Sequence, residues 1–373
     1  MIDFRYHLVS LISVFLALAV GIALGAGPLK ESIGNTLTGQ VDQLRTEKDQ
    51  LRAEADHLSS NLADSRDAIS ALTPSVLEGV LGGRRVAVVT LGEVDSAVVD
   101  SVGAAIQQAG GAVTAVADVT AAWTDPTRTA FRQSLAGTMI TYLDPAPAQD
   151  AGADVELAEA LAQGLSSTSP TDPNALSENA GVLLDLLTGD SGLVTVTSPV
   201  TQPADAVVVL AGPITPVDEA VPTLAPTATP SGSASPRPTP TETASPTDSA
   251  SRKARLDAWA AISQAVQRRS AGAVVVTGEV ADDSLVRTIR TDDALSKLLT
   301  TVDGVRTPQG LLAVPLGLAD RIAGVVGQYG AGPQATAAMP DRTALPPIER
   351  VAAQPPAEPS PSPTESAAST GQG

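Results

Sequence analysis

The side chains whose type and spacing best suit chemistry are five carboxylates, Glu93, Asp95, Glu279, Asp282 and Asp283. They follow two apolar, β-branched runs, RVAVVT at Arg85–Thr90 and GAVVVT at Gly272–Thr277. In open α/β sheets, ligands bind beyond the carboxyl ends of parallel strands. Acids gathered there suit a cation or a small ligand. The same acids also serve as helix N-caps or first-turn residues, and Asp95 and Asp282 fit capping. Other chemistry is scarce. The chain has no Cys, two His and three Met. Disulfides, thiolate nucleophiles, zinc knuckles and iron–sulfur clusters are therefore excluded. His7 abuts an apolar segment and His57 sits in a charged helical repeat, neither with a partner for base catalysis. No GxGxxG follows a strand, and no Walker A, GxSxG or HExxH sequence occurs. The expectation is a non-enzymatic chain with no catalytic, cofactor-binding or metal residue assigned.

The elements that must position those acids alternate in kind. Strands are predicted at Arg85–Thr90, Ala112–Val119, Leu193–Thr197, Asp205–Leu210, Gly272–Thr277 and Leu298–Val302. Helices are predicted at 95–109, 125–135, 154–163, 175–187, 252–268, 284–290 and 308–323, the last kinked at Pro315. Buried β-branched runs between helices give a mostly parallel α/β sandwich. Val88–Val94 (VVTLGEV) echoes Val275–Val280 (VVTGEV), either a duplicated half-domain or chance similarity between Val-rich strands.

Upstream, Leu8–Ala26 has no charged residue and reaches ~28 Å as a helix, about one hydrocarbon core. It reads as a single-pass anchor, with a cleaved signal peptide as the alternative. Arg5 places the N-terminus in the cytoplasm and the rest of the chain outside. Gly21 and Gly25 form a GxxxG, a spacing that permits close helix approach and is also common in membrane helices generally. From Leu37 to Leu72 apolar positions recur at alternating spacings of four and three, with Leu37, Leu44, Leu51, Leu58 and Leu72 at d and Lys48 at one a position. This predicts a parallel homodimeric coiled coil. The alternative is one amphipathic helix packed on the following domain. Pro28 and Gly34 are expected to interrupt the helix before the coil, and Thr73-Pro74 to end it.

The domain order expected is an anchor (1–30), a coil (31–74), a first α/β part (75–220), an insertion (221–251), a second α/β part (252–342) and a tail (343–373). The insertion is dense in Pro, Thr and Ser, with almost nothing to bury, and reads as disordered, as does the Pro/Ala/Ser-rich tail. A net charge of −18 argues against gripping nucleic acid through the bulk surface, and 2% aromatic content disfavours an outer-membrane barrel.

The opening Met1–Leu11 (MIDFRYHLVSL), Val14–Ala19 and Gly21–Gly25, with Gly110–Ala115, Thr301-Val302-Asp303-Gly304 and Gly327-Gln328-Tyr329-Gly330, resemble the actinobacterial copper transporter family of MctB-like proteins. The resemblance spans anchor, coil and α/β domain and omits the insertion and tail. It implies a membrane-anchored cell-envelope protein tied to copper efflux and homeostasis, with copper as cargo. Relatives are also linked to envelope assembly and division, which leaves open a second role as a dimeric scaffold binding an envelope protein. No ligand residue is carried over: Met139 and Met339 are far apart in sequence, and copper(I) prefers Cys and Met.

Overall fold

A computed structural model describes residues 4–26, 28–148, 150–197, 199–214 and 246–350. The part of the insertion at 221–245 and the tail from 351 lie outside the described residues. The chain divides into two compact units, residues 1–68 and 69–373.

In the first unit, α1 (Phe4–Ala26) is the one helix among the described residues long and apolar enough to cross a membrane. Ser13 donates to the Val9 carbonyl at 2.6 Å, so its hydroxyl is satisfied within the helix. The next helix, α2 (Pro28–Leu77), starts with Pro at its first position, where the missing N–H costs nothing. The expected breaks at Gly34 and Pro74 do not occur. One glycine costs a helix only about 1 kcal/mol. Pro74 is carried because Ile69, Val76 and Leu77 beside it pack into the α/β core. Along residues 41–62 the stripe of Val41, Leu44, Leu51, Leu58 and Leu62 is exposed.

The second unit is a seven-stranded sheet in the order β3-β2-β1-β4-β5-β6-β7. The strands are β1 (Arg85–Leu91), β2 (Ala112–Val119), β3 (Val194–Val196), β4 (Ala206–Ala211), β5 (Ala273–Thr277), β6 (Thr300–Val302) and β7 (Gln328–Tyr329). All pairings are parallel except β2–β3. Alternation along the strands splits the core. Ala87, Val89, Val207, Val209 and Val275 face one layer, and Val86, Val88, Val208, Val274 and Val276 the other. The first layer is covered by α4 (Thr129–Met139), α5 (Ala153–Ser166), α6 (Glu178–Thr188), α7 (Pro246–Arg269) and α8 (Leu285–Thr291). The other is covered by the last turns of α2 with α3 (Ser96–Gln108) and α10 (Pro308–Ile322). A one-turn α9 (Leu295–Leu298) leads into β6. Pro315 lies inside α10, which runs through it.

A buried polar knot holds the β6–β7 edge. Arg290 on α8 has a fully buried side chain. It donates to Asp303 Oδ2 at 2.8 Å, Thr301 Oγ1 at 2.9 Å and the Tyr329 carbonyl at 2.7 Å. Asp303 also accepts from the Ala331 and Gly332 amides at 3.0 and 3.1 Å. Tyr329 donates its hydroxyl to Asp320 at 2.8 Å, and burial together with that carboxylate pushes its phenol above the usual tyrosine range. Within the region read as tail, Thr343 bonds Asp320, and Arg350 bonds Asp205 and the Gly83 carbonyl.

Removing one partner of a buried pair leaves an uncompensated charge, so Arg290→Met should cost about 3–5 kcal/mol in urea unfolding followed by tryptophan fluorescence. The double variant Arg290→Met/Asp303→Leu should lose less than the sum of the two single variants. Strict additivity would contradict the knot.

Candidate functional site

The strand order reverses between β1 and β4. β1 connects outward to β2, while β4 begins the run to β7 on its other side. Crevices at such reversals, beyond the strand carboxyl ends, are the usual ligand sites of open α/β sheets. A cavity of about 430 Å³ opens there, within the size range of small-molecule pockets. Its floor is apolar, built from Val94, Leu210, Val276 and Val305.

Tight turns make this opening. Gly92 after β1 has φ +75°, and a Cβ there would stand 2.8 Å from the Trp259 ring. A Cβ on Gly212 after β4 would stand 2.3 Å from the Glu93 carbonyl oxygen, a contact only glycine avoids. The loops after β1 and β4 therefore run backbone against backbone, and Gly212 donates its amide to the Leu91 carbonyl at 2.9 Å.

Four of the five carboxylates singled out from sequence, Glu93, Asp95, Glu279 and Asp283, line this one cavity. The fifth, Asp282, does not line it; its exposed side chain faces Arg287 at 3.7 Å. Capping also divides differently from expectation. Asp95 caps α3, accepting from the Ala97 amide at 3.0 Å. On α8 the cap is Ser284, not Asp282: Ser284 is the extended residue before the helix, and its Oγ accepts from the Arg287 amide at 3.2 Å. Asp283 pairs with Arg252 at 3.6 Å. The carboxylates of Glu93 and Glu279 make no hydrogen bond or ion pair with any described residue, although the Glu279 backbone carbonyl accepts from Thr277 Oγ1 at 3.2 Å. They are also the glutamates of the repeated Gly-Glu turn. β1 and β5 lie one on either side of β4, so the echo places two equivalent strand ends on opposite lips of one cavity.

Sequence reasoning missed Arg306, which adds a cation to the rim. A Cβ on Gly278 would lie 3.4 Å from its Nε, so the guanidinium sits over the Thr277–Glu279 turn. Nothing local in the sequence marks it: it lies four residues past the end of β6, and its place over Gly278 is set by the fold. On the β2 side, a second cavity of about 390 Å³ shares Glu93 and Pro213 and adds Asp118, Thr120, Arg255 and Trp259. Asp118 there accepts the Thr90 hydroxyl.

The remaining candidates do not converge. Met139 is buried in one core layer and Met339 packs against the other, on opposite faces of the sheet. His57 lies on α2, its ring 3.3 Å from Asn61 Nδ2. No group of three or more His, Cys, Asp or Glu able to hold a metal ion occurs among the described residues. The Thr301–Gly304 and Gln328-Tyr329 motifs build the β6–β7 knot and leave the cavity itself to Val305 and Arg306.

The family model described as "Copper transport outer membrane protein, MctB" matches residues 1–340. The chain is similar to the copper transporter MctB of Mycobacterium leprae (strain TN), 27% identical over 348 residues, covering 90% of this chain and 98% of that protein. It is likewise similar to the copper transporter MctB of Mycobacterium bovis and of Mycobacterium tuberculosis, each 26% identical over 341 residues, covering 89% of this chain and 97% of theirs.

Because a methyl group at residue 212 collides with backbone, Gly212→Ala should destabilise the α/β unit by about 1–3 kcal/mol, as overpacking does. An unchanged urea midpoint would mean that the two loops are not held as tightly as described.

Proposed function

The chain belongs to the MctB family of copper transport outer membrane proteins, and from that premise we propose that it serves copper efflux and homeostasis in the cell envelope. The observation that carries this reading is the family match over residues 1–340, which takes in α1, α2 and the whole sheet. In this proposal α1 is a single-pass anchor and the α/β unit is extracytoplasmic. The unit works through the cavity at the strand-order reversal; copper is the cargo of the system, no residue of the cavity is assigned as its ligand, and there is no resident cofactor. A single helix by itself encloses no pore.

Homodimerisation through α2 is part of the proposal. The narrow exposed stripe of leucines supports it, as does the open surface at Gly21, which has nothing within 4 Å of where a Cβ would stand. Both features favour two chains side by side. The same stripe favours a second reading, a non-enzymatic dimeric scaffold that engages a partner in envelope assembly or division.

Cellular copper and septum morphology in a deletion strain separate the two readings. Raised copper with normal septa is the outcome the first predicts; normal copper with abnormal septa supports the scaffold. For the dimer, cross-linking of the full-length chain in detergent should give a two-chain species that Leu51→Asp with Leu58→Asp abolishes, since a seam carboxylate has no partner. A monomer in both samples contradicts the coil.

A further inference from the structure

We infer that the cavity at the strand-order reversal binds a basic amino acid, a small molecule with an ammonium and a carboxylate at one end and a second cation at the other. The inference rests on the reading above that the α/β unit works through this cavity, and it names the molecule bound there, copper being the cargo of the system and not the occupant of the cavity. Three observations carry it.

The first is charge. Asp95 is committed to the α3 N-terminus and Asp283 to Arg252. The rim charges that remain without a partner among the described residues are Glu93, Glu279 and Arg306. Two carboxylates and one guanidinium are complemented by two cations and one anion, the charge set of lysine or arginine at neutral pH.

The second is placement. Arg306 lies over the Gly278 turn beside Glu279, so the anion-binding and one cation-binding group stand together on the β5–β6 side. Glu93 stands across β4, two strand spacings away, roughly 10 Å between strand axes. An α-ammonium and α-carboxylate match the first pair, and a side-chain cation several bonds away reaches toward Glu93. A simple metal ion would leave Arg306 uncomplemented, and a simple anion would be repelled by both glutamates.

The third is the floor. Val94, Leu210 and Val276 offer apolar surface between the lips, matched to the methylenes of a basic side chain. A volume of about 430 Å³ accommodates one such molecule and is small for a folded partner segment.

The test is calorimetry on the purified full-length chain in detergent, with L-lysine and L-arginine as probes. L-norleucine lacks the distal cation and 1,5-diaminopentane lacks the carboxylate. Saturable binding of lysine or arginine is expected, at least tenfold weaker for both controls. Glu93→Gln should weaken lysine about tenfold and leave norleucine unchanged, whereas Arg306→Gln should reduce lysine to the level of 1,5-diaminopentane. Both side chains are exposed and unpaired, so the variants should melt as the wild type does. Absence of saturable heat with both amino acids overturns the inference. So does lysine binding that Glu93→Gln leaves unchanged, or binding of a basic peptide where the free amino acids do not bind. Because binding is read on purified protein, these outcomes are distinct from a failure of the copper reading in cells.

Discussion

The reversal of strand order between β1 and β4 is the constraint on which the rest of the α/β unit depends. β1, β4 and β5 are buried along their whole length, so helices must cover both faces of the sheet. Covered faces leave the strand ends as the place where the sheet meets solvent. At the reversal, the connections after β1 and β4 leave in opposite directions, and the gap between them is the cavity. Gly92 and Gly212 bring the two turns together there, and a side chain on Gly212 would be driven into the Glu93 carbonyl.

Energetically the two ends of the sheet differ. At the β6–β7 edge, strands of three and two residues are too short to be held by ladder hydrogen bonds alone. Arg290 supplies the rest by joining Thr301, Asp303 and Tyr329 from inside the core. At the opposite ends of the strands, Asp205 gathers Arg85 and Arg350 and lies near Arg84; burial lowers the pKa of both Arg84 and Arg85, and the Asp205 charge opposes that shift. The cavity rim carries no comparable neutralisation. At the rim Asp283 faces Arg252, while the Glu93, Glu279 and Arg306 side chains have no partner among the described residues.

Much of this was readable from residue types. The long β-branched runs gave β1, β4 and β5 because a strand buried on both faces leaves a continuous apolar signature, while β2 is buried at alternate residues, Ala115, Ala117 and Val119. The acids after β1 and β5 were found for the same reason, since the strand ends were visible. β7 was not, because two residues have no periodicity and Gln328-Tyr329 is made a strand by Arg290 and Thr301 from distant elements. The helix expected from Asp125 begins at Thr129 instead: Asp125 caps a short 3₁₀ turn opened by Pro126, which takes up the first residues. Arg306 escaped notice because nothing local marks it; its role comes from lying over Gly278, 28 residues earlier in the chain. The run through Gly34 and Pro74 shows local breakers overruled, in one case by the core packing of Ile69, Val76 and Leu77.

The central claim is that the family's copper role, as proposed for this chain, is exercised through the cavity at the reversal. The most direct measurement is cell-associated copper in a deletion strain complemented with the Glu93→Gln/Glu279→Gln chain, expressed to the wild-type level in the membrane fraction. The account predicts that copper stays as high as in the uncomplemented strain, while wild-type complementation lowers it. Full restoration of low copper by the double variant would contradict it.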